Sequence, residues 1–365
     1  MTLLPIVAFL LGFLIVVRTL ISAVRTFVVP RASRDRLATL VFRAIRSVFQ
    51  IALLRATTYD QRDRIMAYFA PVGSLLLLPV WLILIASGYV LMYWSTGIQT
   101  LEDDIVISGS SLLTLGFTKG SSLVHTVLAF SEATIGLIMV ALLIAYLPTM
   151  YNAFQQRELA VTMLEVRAGS PPSAVEMITR FNRLHSLESM HGQWESWEAW
   201  FAQIEESHTS LAALVFFRSP QPDHSWVTAS GAVLDAAALM RSTVDAPADT
   251  QADLCIRAGY LALRRIADLF DVTYNADARF PDDPISIART EFDAACDQLA
   301  AAGVPLKPDR AQAWQDFAGW RVNYDRVLLA LASLTMAPYA PWSSDRSLIT
   351  GNRSNSRELG GTQRN

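Results

Sequence analysis

Three long apolar runs, separated by polar segments, dominate the first part of the chain. They cover residues 3–29, 71–93 and 123–146. A membrane-spanning helix needs about 20 apolar residues, so each run is long enough to cross a bilayer. The pattern therefore predicts three transmembrane helices. The first run has no basic stretch ahead of its apolar core and is expected to be retained, with a cleaved signal peptide as the alternative.

Helical periodicity continues in the more polar parts of the chain. Within 36–55, apolar residues recur at intervals of three and four, which predicts an amphipathic helix at the membrane surface. This helix would be either a gating or lipid-sensing cuff around a pore or a simple interfacial connector. The third apolar run is expected to continue as one helix to residue 166 and to stop at the Gly-Ser-Pro-Pro break of 169–172.

The chain from residue 173 to about 336 has the pattern of several helices separated by turns, without an alternating strand pattern. The predicted blocks are 173–189, 193–214, 225–242, 249–270, 285–301 and 309–336. Ser173 and Glu176 form a capping-box pattern at the start of the first block. Large apolar residues at helical spacing are expected in a core or a subunit contact: Trp194, Trp197, Trp200, Phe201 and Ile204. These blocks predict one all-α domain.

Composition and charge place the chain among membrane proteins with a soluble portion. Of 365 residues, 52% are hydrophobic and 17% are charged, and the net charge of −3 gives no sign of a nucleic-acid partner. Cys255 and Cys296 have neither a zinc-site spacing nor a disulfide framework, so both are expected to be reduced core residues.

The loops between the apolar runs predict the orientation. Arginines outnumber aspartates between the first two runs, whereas the loop of 94–122 carries Glu102, Asp103 and Asp104 against Lys119. Since basic loops face the cytoplasm, the amino terminus is expected outside and the chain after residue 151 in the cytoplasm. The protein is thus predicted to be a multi-pass protein of the cell membrane.

A short polar segment at 108–120, between the second and third runs, carries the candidate chemistry. It contains Thr114-Leu115-Gly116-Phe117. An ion filter needs a row of backbone carbonyls turned toward one axis, a hydroxyl at its inner end and glycine where the backbone takes a positive φ. The segment therefore predicts a re-entrant pore loop, preceded by a short pore helix at 105–113. The three acidic residues before it would either concentrate cations at the mouth or cap this helix.

These four residues resemble the Thr-Val-Gly-Tyr-Gly signature of potassium channels. Over 71–154 the chain is similar to the family with one pore loop per chain, the ion channel 2 or two-pore-type potassium channel family. The resemblance implies an outer helix, a pore loop and an inner helix, with four identical chains around one axis and K⁺ as the permeant ion. It implies no cofactor.

The chain departs from the family signature at two positions. Thr118 stands where the family has glycine, and a left-handed threonine would be strained by about 1–2 kcal/mol. Lys119 stands where aspartate is usual, and its charge repels arriving cations. The filter residues implied by the resemblance are Thr114, Leu115, Gly116, Phe117 and Thr118. A poorly selective cation channel of the same architecture is the alternative.

The third apolar run contains two polar or flexible positions of interest. Glu132 and Gly136 are one helical turn apart and share a face. An ionisable residue in a membrane span is a functional candidate, so Glu132 would either line the conduit or brace the pore helix by a hydrogen bond. By resemblance, Gly136 is a candidate gating hinge. His125 is expected near the outer interface, where it needs no partner.

Several functional classes have no support in the sequence. No Gly-x-Gly-x-x-Gly follows a strand, and there is no phosphate-binding loop, kinase motif set or nucleophile elbow, so no catalytic residue is expected and the protein is not predicted to be an enzyme. His191 and Glu195 share a helix face but lack a firm third ligand, so no metal site is expected.

The expected organisation follows from these patterns. The predicted parts are a transmembrane helix at 1–30, a basic linker at 31–70, a pore domain at 71–150, a coupling segment at 151–172, a helical cytoplasmic domain at 173–340 and a disordered tail at 341–365. The expected function is a homotetrameric potassium-channel-like channel in a lipid membrane, gated through the cytoplasmic domain by a regulator that the sequence does not identify. A non-conducting membrane sensor or scaffold is the remaining alternative.

Overall fold

The computed structural model describes residues 3–29 and 35–346, and all regular elements within them are helical. The chain divides into two units: the first comprises Met1–Gln155 with Ser207–Arg218, and the second comprises Gln156–Glu206 with Ser219–Asn365. Three helical stretches are long and apolar enough to cross a membrane. The protein is therefore an all-α protein with candidate membrane spans, as predicted.

The helices of the first unit follow the apolar pattern closely. They are α1 (Leu3–Phe27), α2 (Arg36–Leu53), α3 (Tyr59–Ala67), α4 (Phe69–Trp94), α5 (Leu101–Leu112) and α6 (Leu123–Ala168). Together α3 and α4 form the second candidate span, Tyr59–Trp94. Helix α6 continues beyond the first unit and ends one residue before Gly169, which has a positive φ of 81°. The break at 169–172 therefore ends α6 as predicted.

Helices α1 and α4 pack closely because glycines face each other. A Cβ atom on Gly12 would lie 2.3 Å from the backbone oxygen of Gly88, so only glycine allows this approach. Nearby, the indole Nε1 of Trp81 donates to Ser22 (3.1 Å), whose hydroxyl donates to Asp35 (2.6 Å). Asp35 also caps α2. This chain of bonds joins α4, α1 and the start of α2.

The second unit contains the carboxyl-terminal part of α6 and the remaining helices. These are α7 (Ala174–Arg183), α8 (Met190–Ser210), α9 (Trp226–Ser242), α10 (Thr250–Asp268), α11 (Arg289–Ala301), α12 (Arg310–Arg321) and α13 (Asp325–Thr335). The last residues of α8 belong to the first unit. The predicted block of 309–336 is two helices, since a turn at Val322–Tyr324 separates α12 from α13.

The aromatic cluster and one buried arginine organise the interior of this unit. All five large apolar residues predicted on α8 are buried: Trp194, Trp197, Trp200, Phe201 and Ile204. The guanidinium of Arg321, which is inaccessible to solvent, donates to Asp235 (2.6 Å) and Asp325 (2.7 Å). Arg321 also donates to the carbonyl of Trp342 (2.6 Å). A buried charge with this many partners fixes the register of α9, α12, α13 and the following segment.

The expected boundary of the disordered tail is wrong. Residues 341–346 pack on the second unit: Ser343 is buried, and Arg346 donates to Glu291 at 2.6 Å and 3.0 Å. The composition of this stretch is typical of a disordered tail. Arg346, however, donates to Glu291 on α11, and the carbonyl of Trp342 accepts from Arg321 on α12. The rest of the predicted tail, 347–365, lies outside the described residues.

Candidate pore-loop site

Helix α5 is the predicted pore helix, although it starts earlier than the sequence indicated. Thr100 caps it in a reciprocal capping box with Asp103, and Glu102 to Asp104 lie in its first turn. Acidic side chains are favourable at a helix amino terminus because the backbone N–H groups there carry partial positive charge. The three acidic residues are thus part of the helix start, which is the second of the two interpretations that the sequence left open.

The segment after α5 turns its backbone N–H groups toward the end of that helix. The N–H of Thr114 donates to the carbonyl of Ser111 (3.0 Å), and those of Leu115 and Gly116 donate to the carbonyl of Ser110 (2.8 and 3.3 Å). The N–H of Phe117 donates to the hydroxyl of Ser110 (3.2 Å). Four consecutive N–H groups are therefore directed at residues 110 and 111.

This arrangement fixes the direction of the carbonyl groups. In a trans peptide unit the C=O and the N–H point in opposite directions. The carbonyls of residues 113–116 therefore point away from α5, as a row of oxygens. The ion-coordinating carbonyls were expected at residues 114–117, so the row of carbonyls begins one residue earlier. Backbone oxygens in such a row can replace part of the hydration shell of a cation.

The backbone strain lies at a different residue from the expected one. Thr114 has φ 56° and Gly116 has φ 69°, whereas Thr118 does not have a positive φ. The prediction of a left-handed threonine at position 118 is therefore wrong. The strain of about 1–2 kcal/mol for a β-branched residue applies to Thr114 instead. Left-handed backbone at alternate residues is what lets successive carbonyls point to one side.

The side chains of the loop do not pack on their own chain. Leu115 is 62% exposed and Phe117 is 67% exposed. In a loop of the predicted kind, the apolar Leu115 is expected to pack behind the loop and the ring of Phe117 against the short helix. Within one chain neither contact forms, so any such packing needs atoms from outside this chain.

Glu132 is the centre of a buried polar cluster behind the loop. Its side chain is inaccessible to solvent, and its Oε1 accepts from the hydroxyl of Ser108 on α5 (2.5 Å). Its Oε2 accepts from the phenol of Tyr93 on α4 (3.2 Å). One carboxyl group therefore links α6 to both α5 and α4. The sequence predicted a brace of the short helix as one role for Glu132, but it did not identify Ser108 and Tyr93 as the partners.

The expectation that His125 needs no partner is wrong. Its ring is buried, and Nε2 shares a hydrogen bond of 2.7 Å with the hydroxyl of Thr96. The ring also meets that of Tyr93 edge to face, with centroids 5.3 Å apart. Asp104 is buried too, and its two carboxylate oxygens have no hydrogen-bond partner among the described residues. The polar interior therefore extends from Glu132 to the start of α5, which no local pattern indicates.

Gly136 is a point of close contact between α6 and α5. A Cβ atom at this position would lie 2.0 Å from the backbone oxygen of Leu112, at the last turn of α5. Backbone cannot yield easily, so position 136 requires glycine for packing alone. Glu132 and Gly136 thus both hold α5, one by a hydrogen bond and one by close approach.

Comparison with known proteins found no relative of this chain. No family model, curated protein or solved structure matches the chain. Among the described residues, no group of three or more histidine, cysteine or acidic side chains is placed to hold a metal ion. The interpretation of the site therefore depends on its geometry: a carbonyl row, a buttressed short helix and a buried carboxyl group behind them.

Proposed function

We propose that the chain is the subunit of a homotetrameric cation channel of the potassium-channel type. The observation that carries this proposal is the loop backbone at 113–116, whose carbonyls point away from α5 because four successive N–H groups are bonded to its last turn. One such loop supplies a quarter of an ion-coordinating ring, so four chains meet at one axis. The exposed Leu115 and Phe117 then pack on neighbouring subunits.

Ions pass by exchanging water for the carbonyl oxygens of the loop, with the Thr114 hydroxyl at the inner end. Glu132 and Gly136 keep α5 in place behind the loop. A poorly selective channel is the second candidate, because Thr118 and Lys119 occupy the outer positions of the loop. The chain acts in a lipid membrane, with its helical second unit in the cytoplasm.

The test is ion flux through purified protein in liposomes with opposed K⁺ and Na⁺ gradients. We expect cation flux in the wild type and its loss in Gly116→Ala, because alanine is disfavoured at φ 69°. Potassium-selective flux in the wild type supports the first candidate. Unselective flux that becomes selective in Thr118→Gly supports the second.

The control for folding is the oligomeric state of each variant by chemical cross-linking. If the wild type forms tetramers and carries no flux under any membrane potential or pH, the non-conducting scaffold replaces the channel proposal. If Gly116→Ala conducts as well as the wild type, the ions do not pass along this loop.

A further inference from the structure

Residues Ser207–Arg218 belong to the first unit although their neighbours in the sequence on both sides belong to the second. They comprise the last turn of α8, Leu211, the 3₁₀ turn Ala212–Phe216 and the two residues that follow. We call this stretch the clasp segment. The chain therefore passes between the two units three times, after residues 155, 206 and 218. Both ends of the clasp segment are therefore continuous in sequence with the second unit.

The clasp segment packs against α6. Leu214 is fully buried in an apolar cluster with Tyr146 and Met150, which lie on α6 beyond Gly136. The ring of Phe217 lies 5.8 Å from that of Phe154, one turn further along the helix. These contacts involve the stretch of α6 that would open and close in a channel with a hinge or pivot near Gly136.

The clasp segment also contacts α3 and α4. The ring of Phe216 meets that of Phe69 edge to face, with centroids 5.5 Å apart. The guanidinium of Arg218 donates to Asp63 (2.6 Å) and to the phenol of Tyr59 (3.2 Å). The side chains of Arg218 and Asp63 are only 10% and 12% exposed. The ion pair is therefore largely shielded from water and sensitive to the loss of either partner.

We infer that the clasp segment is a coupling device that holds the start of α4 to the stretch 146–154 of α6 and transmits movements of the second unit to α6. It contacts both α4 and α6, and at both ends the chain continues into the second unit. For the inner helix to move relative to the outer helix, the clasp segment must release one of them. This inference rests on the proposed function, since it assigns the contact to gating.

The experiment breaks the ion pair and leaves the apolar contacts in place. Arg218→Gln removes the charge and leaves a shorter polar side chain, while the apolar contacts of Leu214, Phe216 and Phe217 retain the fold of the segment. The matched control is Arg289→Gln, which removes a more exposed ion pair with Asp293 in the second unit. Both full-length variants are compared with the wild type in lipid nanodiscs by amide hydrogen exchange.

We expect Arg218→Gln to speed exchange by about tenfold or more in two places, the clasp segment and the stretch 146–154 of α6, because unpairing a shielded charge shifts a local opening equilibrium by at least that factor. Arg289→Gln should change neither. The double variant Asp63→Asn with Arg218→Gln leaves no unpaired charge and should restore much of the protection.

Faster exchange confined to 207–218 would overturn the inference, because the segment would then be bound to α6 without restraining it. Unchanged exchange in both stretches would overturn it as well. The exchange result is independent of ion flux, so a wild type that carries no current does not affect this test. Where flux is measurable, Arg218→Gln should raise it, and a lowered or unchanged flux would contradict the role in gating.

Discussion

Glu132 illustrates how one buried carboxyl group can organise a membrane site. It has two acceptor oxygens, and each is used by a different helix, through Ser108 on α5 and Tyr93 on α4. In a bilayer interior no water competes for these groups, so an unpaired hydroxyl or carboxyl group is costly. The arrangement favours a structural brace over a position in the ion conduit, the two alternatives that the sequence left open.

At this scale we predict that Glu132→Ala lowers the free energy of unfolding by about 1–3 kcal/mol, because it removes the acceptor of two buried hydroxyl groups. Glu132→Gln retains one acceptor oxygen and should be milder. The measurement is the thermal stability of the purified protein. Thr134→Ala is the control, because its hydroxyl is exposed and bonds only within α6.

A double-mutant cycle tests the bond itself. The coupling between Glu132→Ala and Ser108→Ala should be about 0.5–2 kcal/mol, in the range of interhelical hydrogen bonds in membranes. Strictly additive effects of the two substitutions would mean that Glu132 does not brace α5.

The elements of the first unit owe their positions to close backbone contacts. Gly12 and Gly88 bring α1 onto α4, and Gly136 brings α6 onto the last turn of α5. Small residues are common at such contacts because helices in a bilayer associate through packing more than through the hydrophobic effect. The contact at Gly136 thereby adds close packing to the hydrogen bond by which Glu132 holds α5.

We predict that Gly136→Ala destabilises the assembled protein by about 1–3 kcal/mol, since the new methyl group overlaps the Leu112 oxygen and forces α6 away. A purely flexible hinge gives a different result: the alanine variant would be as stable as the wild type and altered only in its flux. Thermal unfolding distinguishes the two. Gly319→Ala, where an added methyl group meets no other atom within 4 Å, is the control.

For the whole molecule, the second unit depends on ion pairs that join its last segment to its helices. Hydrogen bonds from Arg346 lower the pKa of Glu291 below its usual value. Because the folded-state pKa lies below the unfolded one, Glu291 stabilises the fold above the unfolded pKa, about 4.3, and this stabilisation is lost as the pH falls through the folded pKa.

The predicted outcome is that Glu291→Gln is less stable than the wild type at pH 7 and that the difference shrinks below about pH 4. Thermal unfolding of the full-length protein at a series of pH values, followed by tryptophan fluorescence, gives the stability difference. The exposed Glu188 provides the control substitution, Glu188→Gln, which should be as stable as the wild type at each pH. A Glu291→Gln variant that is as stable as the wild type at pH 7 would contradict the prediction.

The sequence by itself determined the helices and the candidate spans. Apolar runs of bilayer length and three-to-four periodicity are local properties, and they located α1, α4, α6, the amphipathic α2 and the helices after residue 173. They also identified the loop after α5, because threonine, glycine and an aromatic residue in that order are adjacent in the chain.

Only the tertiary structure decided which polar groups meet. Ser108 and Glu132 are 24 residues apart, and Asp63 and Arg218 are 155 apart, so no local pattern connects them. Nor does composition show that Ser207–Arg218 belongs to the first unit while the residues on both sides of it belong to the second. The physical reason is that periodicity determines only which face of a helix is apolar. A polar group that is buried away from water needs a hydrogen-bond partner, and the packing of the helices decides which group that is.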